Sequence, residues 1–270
     1  MKVLLTNDDG IGASGLQTLR RALLDTPGIE LAVVAPNSNR SATARSITTR
    51  SPLWVDEIEF EDGTTGFATE GTPVDCVRFA SLGLIDFEPE LIVSGINHGS
   101  NLGDDITYSG TVAAALEGVV LEVPGIAVSQ QSMKREMDFR LGDDFDFTEG
   151  AAFTARLVEE IRSIPLPKGT LLNVNCPAGD ARGACVCRAG RRIYRDRLEL
   201  HSEGNGRKHY RIYGDDPSYH HEPGTDFAAI ADGLIAVTPL HFDLTSTAGI
   251  EQLGSYDLDG LIRPAAHEIE

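Results

Sequence analysis

Two adjacent aspartates, Asp8 and Asp9, directly follow an apolar run at residues 3–5. Neighbouring carboxylates repel each other and lose solvation when buried, so the pair is costly at a buried strand end unless a cation neutralises it. Hard oxygen ligands of this kind suit Mg²⁺, Mn²⁺ or Ca²⁺. Taken alone, the Asp-Asp-Gly stretch is explained more simply as a turn or a helix cap.

Polar clusters also follow two later apolar runs, at residues 31–35 and 91–93. In doubly wound sheets, ligands bind beyond the carboxyl ends of the strands, so these clusters should meet the aspartates at one edge. Singly, Ser41 would more often cap a helix and Asn97 would more often lie in a turn. Agreement among several strand ends favours a metal site instead. The predicted metal ligands are Asp8, Asp9, Ser41 and Asn97.

A second candidate feature is the stretch Ser109, Gly110 and Thr111, which precedes an alanine-rich helical pattern. Free backbone N–H groups and the positive helix end favour an anion there, and a glycine lets the backbone come close to it. An ordinary helix N-cap is the stronger interpretation of these residues alone. A metal beside a helix N-terminus is nevertheless the arrangement expected for hydrolysis of a phosphate ester.

The cysteine and histidine residues do not follow a zinc-binding pattern. Cys185 and Cys187 are separated by one residue rather than two, and no partner pair with zinc spacing occurs elsewhere. We therefore expect reduced, mostly structural thiols. His98 lies in the same polar cluster as Asn97 and could donate to a ligand side chain, although an ordinary loop position is the simpler interpretation.

The elements that must position these residues alternate along the chain. Short apolar runs without polar alternation are typical of parallel strands covered on both faces. Such runs occur at residues 3–5, 31–35, 91–93, 126–128, 171–174 and 234–237. Helical patterns occur at residues 15–24, 111–121 and 150–164, and the alternating stretch 54–60 predicts a hairpin strand with one wet face. Strand–helix–strand repetition indicates an α/β fold.

Composition limits the partners that the protein can have. The 270 residues carry a formal net charge of −18, which repels polyanions and argues against nucleic acid as a partner. The sequence contains no apolar run of the roughly 20 residues that a membrane helix needs. The N-terminus lacks the pattern of a signal peptide. We therefore expect a cytoplasmic protein that binds neither nucleic acid nor membranes.

The charge is distributed unevenly, because residues 188–211 contain eight basic and three acidic residues. Such a segment suits contact with an acidic surface or an anionic ligand, and a solvated loop is an equally good interpretation. The surrounding region, about residues 183–224, is irregular and rich in Arg, Gly, His and Tyr. We interpret it as a protruding arm of a single domain spanning residues 1–270.

Seven motifs resemble those of the stationary-phase survival protein SurE family, and together they extend over nearly the whole chain. They are LLTNDDG (4–10), NRS (39–41), GTPVDCV (71–77), SGINHGSNLGDDITYSGTVAAALEG (94–118), NVNCP (173–177), TD (225–226) and VTPL (237–240). The resemblance implies a Rossmann-like three-layer α/β sandwich with a mostly parallel sheet. It also implies an extended C-terminal hairpin arm exchanged between subunits of a homodimer or homotetramer.

The resemblance further implies a metal-dependent 5′-nucleotidase that hydrolyses nucleoside 5′-monophosphates. Its metal ligands fall on the four residues named above, with one divalent ion per subunit, Mg²⁺ or Mn²⁺, which Ca²⁺ can replace in crystals. Asp8 or Asp9 would assist deprotonation of the attacking water. The implied phosphate contacts are Asn101, Ser109, Gly110 and Thr111. Hydrolysis of 3′-nucleotides and short polyphosphate is left open.

The chain departs from the family pattern at two places. Gly12 and Ser14 stand where the family usually has histidine and proline, and Asn37 and Ser38 stand where it usually has Asp-Arg. None of the four is an implied metal ligand. These departures bear on substrate preference and loop stiffness rather than on the reaction.

Two other functions compete with the phosphomonoesterase hypothesis. A phosphatase that forms an aspartyl-phosphate, as in the haloacid dehalogenase class, needs Asp-x-Asp after its first strand, and this chain has Asn7-x-Asp9. The missing nucleophile argues against that class. The other alternative is a non-catalytic nucleotide-binding stress protein, which metal-dependent release of phosphate from AMP would exclude.

Overall fold

The computed structural model describes residues 1–136, 144–212 and 218–262, and within them a nine-stranded sheet runs through the protein. The described strands are β1 (Lys2–Thr6), β2 (Glu30–Pro36), β3 (Val55–Glu59), β4 (Thr65–Thr69), β5 (Leu91–His98), β6 (Gly125–Gln130), β7 (Thr170–Cys176), β8 (Ala184–Val186), β9 (Arg192–Ile193), β10 (Glu199–Gly204), β11 (Arg207–Arg211), β12 (Ser218–Tyr219) and β13 (Ile235–His241). Each of the six predicted apolar runs falls on a strand of this sheet.

The sheet has the order β3-β4-β2-β1-β5-β6-β7-β13-β8. The strands from β4 to β7 in this order are mutually parallel, which confirms the predicted mostly parallel sheet. β3 pairs antiparallel with β4, as the alternating stretch predicts. β13 runs antiparallel to β7 although its sequence resembles the parallel strands. An apolar run reports burial on both faces and carries no information on strand direction.

Helices cover both faces of the sheet and complete three layers. The described helices are α1 (Ser14–Leu24), α2 (Pro73–Phe79), α3 (Gly110–Val120), α4 (Thr148–Glu160), α5 (Asp226–Ala231) and α6 (Thr247–Leu253). Val3 and Leu5 join one apolar cluster with Leu16 of α1, whereas Leu4 joins a second cluster with Cys76 of α2. α4 contributes to the first cluster and α3 to the second, so α1 and α4 cover one face and α2 and α3 the other.

The helix predicted at residues 150–164 is shorter at its C-terminus than expected. Pro165 disfavours helical backbone at Ile164, and α4 ends at Glu160, several residues before it. Among the helices that the structure describes, none has the length and apolar character needed to cross a membrane.

The Arg-rich region, residues 183–224, adds one strand to the main sheet and also forms a hairpin separate from it. β8 pairs with β13 at the edge of the main sheet, so the first residues of the range 183–224 belong to the body of the protein. β9 and β12 form a short antiparallel pair, and beyond them β10 and β11 form a separate two-stranded hairpin in which every residue of β11 is exposed. Residues 213–217 of the predicted arm lie outside the described residues.

Candidate metal and phosphate site

A cavity of about 360 Å³ opens at the carboxyl ends of the central strands and beside the N-terminus of α3. Its volume lies in the range typical of small-molecule sites. The predicted site residues that line it are Asp8, Ser41, Asn97, Asn101 and Ser109. The fold therefore brings predicted residues from three distant segments of the chain to one cavity.

Asp8 is packed against the beginning of α3. A Cβ atom at Gly110 would lie 2.8 Å from both Cβ and Oδ2 of Asp8, so only glycine leaves room for the carboxylate there. The Asp8 side chain is buried, and burial together with the charge of Asp9 raises its pKa to about 6. Hydrogen bonds from Thr111 oppose this increase in pKa. The pair is thus an acidic site whose ionised form a cation would stabilise.

Thr111 directs its side chain towards Asp8 rather than into the cavity. It is fully buried, and its hydroxyl donates to Oδ1 of Asp8 at 2.5 Å. Thr111, in the first turn of α3, therefore binds the predicted metal ligand Asp8 directly. Gly110 and Thr111 lie behind Asp8 and do not line the cavity, and their contact with phosphate stays a prediction.

Asp9 is held by three donors, two from His98 at the end of β5 and one from the loop that carries Asn39. Its Oδ2 accepts hydrogen bonds from the backbone N–H of His98 at 3.0 Å and from the ring Nδ1 at 2.9 Å. Its Oδ1 accepts from the side-chain amide of Asn39 at 3.2 Å. The carboxylate plane is consequently fixed before any ligand binds.

His98 is itself locked in place. Its Nε2 lies 3.0 Å from the hydroxyl of Ser14, and the rings of Phe145 and Phe147 meet it edge to face with centroids 5.1 and 4.9 Å away. His98 therefore acts as a donor to Asp9, the less simple of the two interpretations offered by the sequence. Ser14, one of the departures from the family pattern, contributes to this arrangement.

Ser41 and Asn97 are the predicted neutral oxygen ligands, and both line the cavity. Ser41 lies in a loop with no helix for it to cap, and the neighbouring Arg40 N–H bonds the Asp8 carbonyl at 2.6 Å, which ties the loop to the end of β1. The Asn97 side chain donates its amide to the Gly99 carbonyl at 2.7 Å, so its oxygen is the end that remains for a cation.

The predicted donor set fits a hard divalent cation. Asp8, Ser41 and Asn97 line the cavity, whereas Asp9 follows Asp8 in the chain and is not among the lining residues. Mg²⁺ typically binds one or two carboxylates and keeps several waters. Within the described ranges, no group of three or more His, Cys, Asp or Glu side chains is arranged to hold a metal ion. Water and substrate oxygens would therefore complete the shell.

Ser109 is the N-cap of α3 and also lines the cavity. Its Oγ accepts a hydrogen bond from the Val112 N–H at 3.1 Å. Ser109 is therefore the N-cap of α3 and a cavity-lining residue at the same time. Nearby, Ser100 lines the same cavity, and its Oγ is buried without a hydrogen-bond partner among the described residues. Such an atom suits a polar ligand. Ser100 is not among the residues predicted from the sequence, although it lies in the same motif as Asn97.

Two buried asparagines on β7 clamp the backbone of Asn101. The Asn101 N–H donates to Asn175 Oδ1 at 2.8 Å, and its carbonyl accepts from the amides of Asn173 at 2.9 Å and Asn175 at 3.0 Å. The Asn101 side chain donates to Ser129 Oγ at 2.8 Å. Asn173 and Asn175 of the NVNCP motif therefore hold the Asn101 backbone in place.

The base of the arm meets the site through Asp105. Its carboxylate accepts from the Arg192 guanidinium and, at 2.8 Å, from the hydroxyl of Tyr194. The backbone N–H of Arg192 donates to Asp104 at 2.9 Å. The start of the Arg-rich segment is thus fixed to the loop that runs between Asn101 and α3.

Comparison with known proteins gives consistent results. The family model for survival protein SurE matches residues 3–196. The chain is 49% identical over 266 residues to the 5′-nucleotidase SurE of Rubrobacter xylanophilus, covering 97% of this chain and 99% of the relative. It is 46% identical over 260 residues to the 5′-nucleotidase SurE of Chloroflexus aggregans, covering 95% of this chain and 99% of the relative.

A solved structure resembles the whole architecture. The crystal structure of the SurE protein from Aquifex aeolicus aligns with a TM-score of 0.76 at 35% sequence identity. The alignment covers 94% of this chain and 100% of that one. The similarity therefore extends over nearly the whole chain.

Proposed function

The chain belongs to the survival protein SurE family, and on that premise we propose that its cavity is where a divalent cation and a nucleoside 5′-monophosphate meet. The protein is a 5′-nucleotidase: water attacks phosphorus, the bond to the 5′ oxygen breaks, and nucleoside and inorganic phosphate leave. The observation that supports this location is the convergence of Asp8, Asn97 and Ser109 on one cavity beside a helix N-terminus.

Enzymes of this family are metal-dependent, and the residues present fit a metal. The proposed ligands, for one Mg²⁺ or Mn²⁺ ion, are Asp8, Asp9, Ser41 and Asn97. When bound, such an ion lowers the pKa of water and neutralises charge on a phosphoryl group.

The protein's own groups then orient the reactants. Asp8 or Asp9 accepts the proton of the attacking water, and the donors on Asp9 keep its carboxylate in one orientation. Ser109, Asn101 and Ser100 face the cavity and are proposed to bind the non-bridging phosphate oxygens. Gly110 and Thr111 are proposed to support phosphate binding from behind, by placing Asp8 and by directing the positive end of α3 towards the anion.

Release of phosphate from AMP tests this function. We expect release with Mg²⁺ or Mn²⁺, loss of release when EDTA is added, and recovery when excess metal is restored. AMP binding without release in either metal would instead support the alternative of a nucleotide-binding stress protein. The same assay with 3′-AMP and with short polyphosphate measures the two further activities that the family resemblance leaves open.

We also propose that the arm joins subunits of a homodimer or homotetramer. Large apolar side chains are exposed around the arm and on the last described helix, and exposed apolar surface of this kind commonly marks an interface. They include Leu198, Leu200, Ile212, Ile250 and Leu253. Exchanged elements are a low-cost route to closed dimers.

Replacing residues 199–211 with a short glycine linker should give a species of lower mass in light scattering. This deletion spares Arg192 and Tyr194, so metal binding should survive, which isothermal titration would check. An unchanged mass would show that the hairpin is a surface loop.

Two broader proposals concern the chain as a whole. We propose that residues 1–270 act as one domain, since a single continuous sheet supplies most of the site. We propose the cytoplasm as the place of action, because all four cysteines are free thiols, as expected in a reducing compartment.

A further inference from the structure

We propose that Tyr108 and Tyr194 form the nucleobase-binding part of the cavity, so that the enzyme prefers nucleotides to small sugar phosphates. The inference rests on the proposed function, because it assigns the outer part of the same site. Both tyrosines line the cavity that Asp8, Asn97 and Ser109 line. A molecule with its phosphate among those three residues therefore shares one space with two aromatic rings.

The two rings are available to a ligand. Tyr108 is 56% exposed and Tyr194 is 41% exposed, although large aromatic side chains are usually more buried than this. Every nucleobase has a π-face, and stacking on an aromatic ring is tolerant of which base is bound. A sugar phosphate that lacks a base has no π-face that could stack on these rings.

Tyr194 is held in position before a ligand arrives. Its hydroxyl donates to Asp105 at 2.8 Å, and Asp105 is also bound by Arg192. Burial and the neighbouring Asp105 raise the pKa of the Tyr194 hydroxyl, so it stays a neutral donor at ordinary pH. A ring fixed in this way loses little conformational entropy when a base stacks on it.

Tyr108 is fixed through its backbone. Its carbonyl accepts a hydrogen bond from the Ala44 N–H at 3.1 Å, which joins it to the loop that carries Ser41. It also immediately precedes Ser109, the N-cap of α3. Tyr108, the proposed base contact, and Ser109, a proposed phosphate contact, are thus adjacent in the chain, so the distance between their backbones is fixed.

The test compares AMP with ribose 5-phosphate, which keeps the phosphate and the sugar but has no base. Tyr108→Leu and Tyr194→Leu should each lower the ratio of kcat/KM for AMP to kcat/KM for ribose 5-phosphate by about tenfold. Tyr194→Phe keeps the ring and should restore most of this ratio. Tyr210→Leu is a matched control, because Tyr210 is 42% exposed on the same arm and does not line the cavity.

A ratio unchanged in both leucine variants would overturn the inference, and so would a wild-type enzyme with equal kcat/KM for the two substrates. The second result would leave the phosphatase activity standing. Isothermal titration in EDTA separates the two hypotheses further. Tighter binding of AMP than of ribose 5-phosphate, without release of phosphate from either in metal, would support the base site and reject the proposed function.

Discussion

Replacing Asp8 or Asp9 with Asn should lower kcat for AMP by about a thousandfold while the protein still folds. Both carboxylates lie at the buried end of β1, where their charges raise each other's energy and where a cation would offset that repulsion. Asparagine keeps the shape but removes the charge. Metal affinity measured by isothermal titration should fall in parallel with kcat, whereas the Tm of the metal-free protein should change little.

Asp56→Asn provides the matched control, since Asp56 is an exposed aspartate on β3 far from the cavity in the sheet order. It should leave both kcat and metal affinity unchanged. Near-normal turnover by Asp9→Asn at saturating Mg²⁺ would contradict the metal assignment.

The second large effect is expected from Asn175→Leu. Leucine has a similar volume but cannot bond the backbone of Asn101, so a buried N–H loses its acceptor and the carbonyl loses one of its two donors. The orphaned N–H costs about 1–3 kcal/mol and the lost bond to the carbonyl about 0.5–1.5 kcal/mol, so the free energy of unfolding should fall by about 2–4 kcal/mol. Because Asn101 lies at the proposed phosphate position, KM for AMP should rise about tenfold or more.

Asn173→Leu is the graded comparison for this prediction. It removes one donor from the Asn101 carbonyl and leaves the N–H bond to Asn175 intact, so its effects on unfolding and on KM should be clearly smaller. Metal affinity should survive in both variants, because neither asparagine touches a proposed metal ligand. Equal effects of the two substitutions, or a loss confined to metal affinity, would show that the clamp does not act through Asn101.

The sequence was sufficient for most strands of the sheet and for the expectation that several polar strand ends meet at one edge. Short continuous apolar runs that alternate with helical patterns indicate buried strands in a covered sheet, and parallel strands put their carboxyl ends at one edge. The polar residues after residues 3–5 and 91–93 therefore had to meet, and Asp8 and Asn97 do line one cavity. The parallel pairing of the strand backbones determines where the strand ends lie, so this prediction does not depend on how the side chains pack.

The roles of supporting side chains could not be predicted in this way. The contact from Thr111 to Asp8, the bond from His98 to Asp9 and the clamp by Asn175 depend on rotamers and on the separation of strands in space. The antiparallel direction of β13 could not be predicted either, because parallel and antiparallel buried strands have the same apolar sequence pattern. Sequence patterns indicate which face a residue occupies, whereas its partners emerge only when the layers are assembled.

The long spans between partners have a consequence for biosynthesis. Asp9 and His98 are 89 residues apart in the sequence, and Asp8 and Thr111 are 103 apart. The Asn101 backbone is bound by Asn175, which lies 74 residues later in the chain. A ribosome-bound chain that has emerged only as far as α3 carries both aspartates but not β7, the strand whose asparagines hold the Asn101 backbone. Long-range pairing of this kind forms slowly and late. A growing chain therefore cannot complete the proposed site until residue 175 of 270 has been synthesised.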